Sequence, residues 1–180
     1  MAEDLTFLLS RVSLGDRKAF AALYRETSPR LYGLALGMLR RRDDAEEVIQ
    51  DVYVSLWHSA RTYDAGRGSV NTWLTTVVRN RCIDRLRRRD LLTTQLDDND
   101  WENLESPRSS PLQDAIRHAD TQAMARCLEH LDDRQRESLQ LAYFQGLSHS
   151  ELAVRLTAPL GTVKAWVRRG LERLRQCMQP

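Results

Sequence analysis

The segment that most restricts how this chain can fold is Glu151 to Arg175, ELAVRLTAPLGTVKAWVRRGLERLR. Two stretches with a helical apolar period flank Thr157-Ala158-Pro159-Leu160-Gly161, which holds the two strongest helix breakers in a chain with only 8 glycines and 5 prolines. Upstream, Ser148 and Glu151 have capping-box spacing and Leu147 and Leu152 that of a hydrophobic staple, so a short helix from His149 to Leu156 is firmly started. After the turn, Val163, Val167, Leu171 and Leu174 fall within about 80° on a helical wheel and form the predicted buried stripe. Thr162, Ala165, Arg169 and Glu172 point away from it, and Lys164, Arg168 and Arg175 flank it. A short helix, a tight turn and a longer helix with a small, polar and basic outer face is the helix-turn-helix pattern, whose second helix enters the major groove N-terminus first. A plain helical hairpin with a solvated basic face is the alternative.

The rest of the chain extends the helical reading. Asp132 and Gln135 have capping-box spacing and open a helix predicted to run to Gln145, with Gly146 just past its end. No run of alternating apolar residues bounded by turn signals marks a strand, and 42% hydrophobic with 29% charged residues is a globular profile. The fold class expected is all-α.

Charge divides the chain. Residues 1–90 carry 16 basic and 12 acidic side chains, residues 91–115 carry 1 and 6, and residues 116–180 carry 10 and 7. The acidic middle, LLTTQLDDNDWENLESPRSSPLQD, has two prolines, a Ser pair and no helical apolar period. It reads as a linker at 93–115 between helical modules at 1–92 and 116–180, either a plain solvated tether or one that lies over basic surfaces and competes with a polyanion.

In the first module, helix starts are predicted at Asp16, at Ser28 before Pro29, at Asp43 with Glu46, and at Ser69, with a short helix from Leu5 to Val12 before them. In the helix from Asp44 to about Ser59, Ala45, Val48, Ile49, Val52 and Leu56 form one apolar stripe. Glu47, Gln50, Asp51, Val54 and Trp57 lie opposite, a polar face carrying an exposed Val and Trp that suits docking of another protein; covering of a neighbouring loop by Trp57 is the alternative. After Ser69 the helix begins apolar and turns strongly basic over RNRCIDRLRRR, Arg79 to Arg89. The preceding loop, TYDAGRGS, brings Tyr63 and Arg67 near Trp73, the residue types that stack on unpaired bases and neutralise phosphates. Arginines at a helix C-terminus also complement the helix dipole.

Other features narrow the function. The N-terminus begins acidic and lacks the basic start and continuous apolar core of a secretory signal, and no stretch approaches the roughly 18 apolar residues of a membrane helix, so a cytoplasmic location is expected. Cys82, Cys127 and Cys177 are far apart without a C-x-x-C pair, which suits buried or free thiols in a reducing compartment. Cys127 and His130 share a helix face, with His118 a distant third candidate for a metal, but scattered ligands of this kind are ordinarily plain helix residues. No phosphate loop, catalytic triad order or paired carboxylate motif stands out, so neither an enzyme nor a cofactor is expected.

Three segments together resemble the small extracytoplasmic-function (group IV) sigma factors of bacterial RNA polymerase, in the sigma-70 family. DAEEVIQDVYVSLW resembles region 2.2, GSVNTWLTTVVRNRCIDRLRRR resembles regions 2.3 and 2.4, and LDDRQRESLQLAYFQGLSHSELAVRLTAPLGTVKAWVRRGLERLR resembles region 4. The resemblance implies that Glu47, Gln50, Asp51, Val54 and Trp57 dock on core RNA polymerase. It implies that Asp64, Arg67, Ser69, Asn71 and Trp73 hold the melted minus-ten element of promoter DNA, and that Asn80, Arg81, Asp84, Arg85 and Arg88 support that strand and the adjacent duplex. Thr162, Lys164, Ala165, Arg168 and Arg169 would meet the minus-thirty-five element, and a cognate anti-sigma factor would mask these faces. Where many relatives carry Arg or another polar residue, this chain has Trp166, expected to pack within its own module, the alternative being stacking on a backbone sugar. A two-module regulator that does not join polymerase is the competing reading of the residues, and the Val54/Trp57 face argues against it.

Overall fold

Aspartate and serine caps start three of the four helices found among the described residues of the first unit. The Asp4 carboxylate accepts from Thr6 N at 3.0 Å and opens α1 (Leu5–Ser13). Asp16 accepts from Lys18 N and Ala19 N to open α2 (Arg17–Leu39), and Ser69 Oγ accepts from Thr72 N to open α4 (Val70–Leu92). The Ala19 N–H and then the Arg11 guanidinium hold the Asp16 carboxyl below its usual range. The computed structural model describes residues 4–92 and 123–178, in units bounded as Met1–Pro107 and Arg108–Pro180. The predicted linker at 93–115 lies outside the described residues, among which no strand occurs.

Two predicted helix starts are not formed. Ser28 and Pro29 lie inside α2, which runs unbroken. A mid-helix proline costs about 3 kcal/mol, but Leu23, Thr27, Leu31 and Ala35 continue one stripe past it, each no more than 1% exposed. Burial of a leucine returns about 1.5–3 kcal/mol, so two buried leucines outweigh the proline. Asp43 and Glu46 do not form a capping box either: α3 (Arg42–Ser59) starts after Arg41 with no side-chain cap, and Asp43 and Asp44 sit in its first turn, where their charge complements the helix dipole.

The predicted α3 stripe of Ala45, Val48, Ile49, Val52 and Leu56 is buried, joined by Tyr53. It packs on the inner faces of α1, α2 and α4, where Leu9, Leu23, Leu74 and Val78 are essentially inaccessible. Tyr53 is satisfied within this core. Thr27 Oγ1 donates to Leu23 O at 2.6 Å, which leaves the Tyr53 hydroxyl to donate to Thr27 Oγ1, also at 2.6 Å. Burial pushes Tyr53 up to about 12 and the buried Cys82 thiol likewise to about 12.

In the second unit, helical residues 123–129 (α5) precede α6 (Asp133–Gln140), α7 (His149–Arg155) and α8 (Leu160–Met178). Asp132 caps α6 through Gln135 N at 2.9 Å, but the Gln135 side chain does not reach back to complete the expected box. It is 2% exposed and accepts from Arg173 of α8 at 3.0 Å. One π-type turn (Leu141–Gln145) follows α6, and Gly146, at φ 66°, ends it in the left-handed conformation predicted for a residue past a helix end. The Ser148/Glu151 capping box is complete, and Leu147 packs on the cluster around Leu152.

The turn into α8 is made differently from the expectation. Gly161 is helical, in the first turn of α8, and the reversal is carried by Thr157 at φ 48°. Ala158 N donates to Ala153 O and Thr157 N to Val154 O, the two bonds of a Schellman motif, so local hydrogen bonding rather than glycine stops α7. The buried side of α8 is also rotated from the predicted stripe. Val163 and Gly170 are buried, whereas Leu171 is 55% exposed. A Cβ at Gly170 would stand 2.8 Å from Leu139 Cδ1 and 3.4 Å from Gln135 Cβ, so the missing side chain marks where α6 crosses α8.

Cys127 and Cys177 form a disulfide with Cα atoms 5.8 Å apart, correcting the expectation of free thiols; of the three cysteines, Cys82 alone remains free, and it is buried. The bond ties α5 to the end of α8. It also takes the sulfur of Cys127 out of any metal pairing with His130, whose Nδ1 lies 2.6 Å from Arg126 O; His118 lies outside the described residues.

Candidate nucleic-acid interface

Three surfaces carry the residues singled out from sequence. The first is the outer side of α3. Gln50 and Asp51 are exposed there, and Val54 is 57% exposed. Trp57 is only half-buried, and it packs edge-to-face on Phe20 of α2 at 5.3 Å rather than over a loop. Between α2 and α3 lies an open groove of about 840 Å³ whose walls include Phe20, Tyr24, Tyr32, Tyr53, Val54 and Trp57. Sequence reasoning missed this groove; its signal was the pair of aromatics Phe20 and Tyr24 on one side of α2.

Glu47 belongs to this face by position but reaches toward α4. Its carboxylate lies 2.7 Å from Arg85 Nη2, and Arg85 also donates through Nε and Nη2 to Asp44 Oδ1 at 3.1 and 2.7 Å. Asp44 is buried, so its charge is compensated by Arg85 inside the α3/α4 contact. Arg85 depresses the Glu47 carboxyl, and Glu47 and Asp44 together raise the already high value of Arg85. Arg85 is therefore a bridge between helices. Beside it, a cleft of about 320 Å³ is lined by Arg41, Arg81, Arg88 and Arg89 around the same carboxylates.

The second surface is the loop between α3 and α4 with the first turns of α4. Two 3-10 turns, Ala60–Thr62 and Ala65–Arg67, shape the loop. The Asp64 carboxylate accepts from Gly66 N at 2.9 Å, the Tyr63 hydroxyl donates to Gly68 O at 2.9 Å, and Arg61 Nε donates to Ser13 O at 3.1 Å. Trp73 is half-buried, its ring 5.6 Å from that of Tyr63, so the two aromatics brace each other. Ser69 serves as the cap of α4, and Asn71 is exposed but bound to Arg30 of α2. The Arg67 side chain lies outside the described residues. Farther along α4, Asn80, Asp84 and Arg88, four residues apart, share an exposed face, while Arg81 turns toward α3 and its Nη2 lies 3.5 Å from Ser55 Oγ. The sequence grouped Asn80, Arg81, Asp84, Arg85 and Arg88; the folded helix divides them between an outer face and the α3 contact.

The third surface belongs to the second unit. Thr162, Lys164, Arg168 and Arg169 are exposed on the first half of α8, and Ala165 is half-buried among them. Trp166 is half-buried and packs on the cluster of Leu152, Leu156 and Val163, with the Arg134 guanidinium 5.9 Å above its ring, so it packs within its own module as expected. Arg173 is engaged by Gln135 and, at 3.7 Å, by Asp132, which separates it from the free basic residues nearer the helix start. A helix with its N-terminal half exposed, small at Ala165 and basic at three positions can enter a major groove.

Two stretches of the chain match known families. Residues 23–91 match the family described as Sigma-70 region 2, and residues 121–174 match Sigma-70, region 4. An ECF RNA polymerase sigma factor, SigK, of Mycolicibacterium vanbaalenii is 37% identical over 175 residues, covering 97% of this chain and 89% of that protein. The protein of the same name in Mycobacterium tuberculosis is 35% identical over 179 residues, covering 99% of this chain and 95% of its own length. Among solved structures, Rhodobacter sphaeroides SigE in complex with the anti-sigma ChrR is 31% identical with 99% of each chain covered and a TM-score of 0.49.

Proposed function

This chain belongs to the ECF RNA polymerase sigma factors, a group of transcription initiation factors rather than enzymes, and from that premise we propose that it directs core RNA polymerase to promoters by reading two DNA elements with two separate modules. Residues 1–92 carry polymerase docking and the minus-ten element, residues 93–115 tether, and residues 116–180 carry the minus-thirty-five element. The observation that carries this reading is the exposed small and basic face of α8, Thr162 to Arg169, presented behind a fully capped α7 and its tight turn. Thr162, Lys164, Ala165, Arg168 and Arg169 meet the major groove, the arginines suited to guanine edges and the remainder to phosphates and methyl groups.

In the first module, Gln50, Asp51, Val54 and Trp57 with the adjoining aromatic groove form the polymerase-docking face, an apolar centre with a polar rim. The braced loop at Asp64 to Ser69, with Asn71 and Trp73, holds an extruded base of the melted strand, and Asn80, Arg81, Asp84 and Arg88 support that strand and the adjacent duplex. Arg85 acts behind them by fixing α4 to α3. Capturing the open strand shifts the duplex toward melting because the protein binds that state better. Fixed on polymerase and joined by a tether, two modest binding sites gain through effective concentration. A cognate anti-sigma factor is the third partner, covering the exposed α3 and α8 faces, and the site of action is the cytoplasm.

Run-off transcription with core polymerase over a promoter library tests the reading. Transcripts that depend on this protein and share two short elements separated by a fixed spacing support it. Transcription independent of the protein, or dependence on the upstream element alone, overturns the two-site reading.

A further inference from the structure

The cleft between α3 and α4 gathers more positive charge than the fold requires. Its α4 side carries Arg81, Arg85, Arg88 and Arg89, and Arg41, just before α3, brings a fifth guanidinium to it. Against these stand three carboxylates, Asp44, Glu47 and Asp51. Arg85 already satisfies two of them, lying 2.7 Å from Asp44 Oδ1 and 2.7 Å from Glu47 Oε2. Arg41 is not needed for that pairing: its Nε is 3.8 Å from Asp44 Oδ2 and its side chain is 60% exposed, a contact of the kind that adds little to stability. Arg81 and Arg88 are exposed as well. Like charges gathered in one cleft repel one another and draw an anion into it.

We propose that this cleft is a site for backbone phosphates of promoter DNA, and that Arg41 is a DNA-contacting residue supplied from outside α4. The inference rests on the minus-ten reading of the first module and deepens it. Helix α4 follows directly on the loop at Asp64 to Ser69, so a strand held at that loop and led along the helix reaches the cleft. Arg81 and Arg88 are seven residues apart, about 10.5 Å along the helix axis, and a duplex strand advances about 3.4 Å per phosphate, so the cleft is long enough for more than one phosphate. A guanidinium can hold a phosphate through two parallel N–H bonds, and Arg41 presents such a fork from the end of α3 while Arg81 and Arg88 present theirs from α4. An acidic protein segment carries the same sign of charge. The cleft, however, shares Arg88 with the exposed face of Asn80 and Asp84, and this continuity with the strand-supporting residues favours nucleic acid.

Holoenzyme assembled from the full chain and core polymerase, titrated onto promoter fragments between about 50 and 200 mM salt, tests this. Arg41→Gln removes the charge and keeps a polar side chain. It is expected to weaken binding about fivefold at about 0.15 M salt, equally across minus-ten and upstream sequences, and to make the dependence of log K on log salt shallower by about 0.7–0.9, the loss of one phosphate contact. The slope, unlike the affinity, is insensitive to a fraction of unfolded protein. Arg41→Lys, which keeps the charge, is expected to restore the slope, and Arg42→Gln, exposed next to it but outside the cleft, to leave it unchanged. Single methylphosphonate linkages, each neutralising one phosphate, locate the contact: one position is expected to weaken the wild-type protein about fivefold and the Arg41→Gln protein not at all. An unchanged slope in Arg41→Gln would overturn the proposal while leaving the minus-ten reading in place, as would an equal change in Arg42→Gln, which marks general attraction. Weaker binding of Arg41→Gln to core polymerase without DNA would overturn it in favour of an acidic polymerase segment. Absence of any minus-ten preference in the wild-type protein would overturn both.

Discussion

Breaking the disulfide should cost the second unit about as much as truncating one of its large buried side chains. Cys127 and Cys177 are separated by 50 residues. Cross-linking a loop of that length removes about 14 cal/mol/K from the unfolded chain, or about 4 kcal/mol at 25 °C, on the loop-entropy account. Whole domains are stable by only about 5–15 kcal/mol, and a small helical unit lies toward the lower end. The test is hydrogen exchange on the full-length chain, oxidised and after reduction, with a Cys127→Ala/Cys177→Ala double variant as the thiol-free control. Amides of α6 and α8 that exchange by unfolding of their unit should accelerate by about a thousandfold in both cases, since 1.4 kcal/mol is a factor of ten. Amides around Leu23, Leu74 and Val78 should be unaffected, because Cys82 is the cysteine of their unit and takes no part in the bond. An acceleration under about tenfold in α6 and α8 would refute the loop-closure reasoning, as would an equal acceleration in the first unit.

Five smaller perturbations test other parts of the structure. Thr157→Gly places a residue tolerant of φ 48° at the Schellman position and should stabilise the second unit by about 0.5–1 kcal/mol in denaturant unfolding, a β-branched residue being disfavoured there. Val54→Asp should weaken binding to core polymerase without loss of stability, because Val54 is 57% exposed; Trp57→Ala should lower both, since Trp57 packs on Phe20. The Glu47 carboxyl is depressed below its usual 4.5 by Arg85, so its contribution is present above that pH and is lost as pH falls through the lowered value; Glu47→Gln should flatten this part of the acid branch of a stability-versus-pH curve. Arg169→Ala should cost about 1–3 kcal/mol at one upstream base position in a binding titration, whereas a uniform loss across sequences would mark a phosphate contact.

The residues legible from sequence were those whose partners lie within one helical turn. The Ser148/Glu151 box, the Asp16 cap and the α3 stripe need only a periodic pattern and a cap three residues away, and each is present. The expectations that failed were decided across helices. Pro29 was read as a boundary from its local propensity, but burial of Leu23 and Leu31 carries α2 past it. Leu171 was placed inside by periodicity, but α6 crosses α8 at Gly170 and turns that stripe. Arg85 was grouped with the basic end of α4, and its actual role follows from Asp44 and Glu47 on another helix.

By itself the sequence determined an all-α fold class, two helical units, and a helix-turn-helix whose second helix is basic outside, because periodicity and caps act over three or four residues. Only the tertiary structure decided that Arg30 faces Asn71 and Arg85 faces Asp44, each pair 41 residues apart, and that Cys127 meets Cys177 across 50. Such pairings arise once apolar stripes have packed the helices at particular crossing points, and no spacing along the chain encodes where those crossings fall. The residues expected to touch DNA could be named from their order; which of them are free to do so is a property of the packed helices.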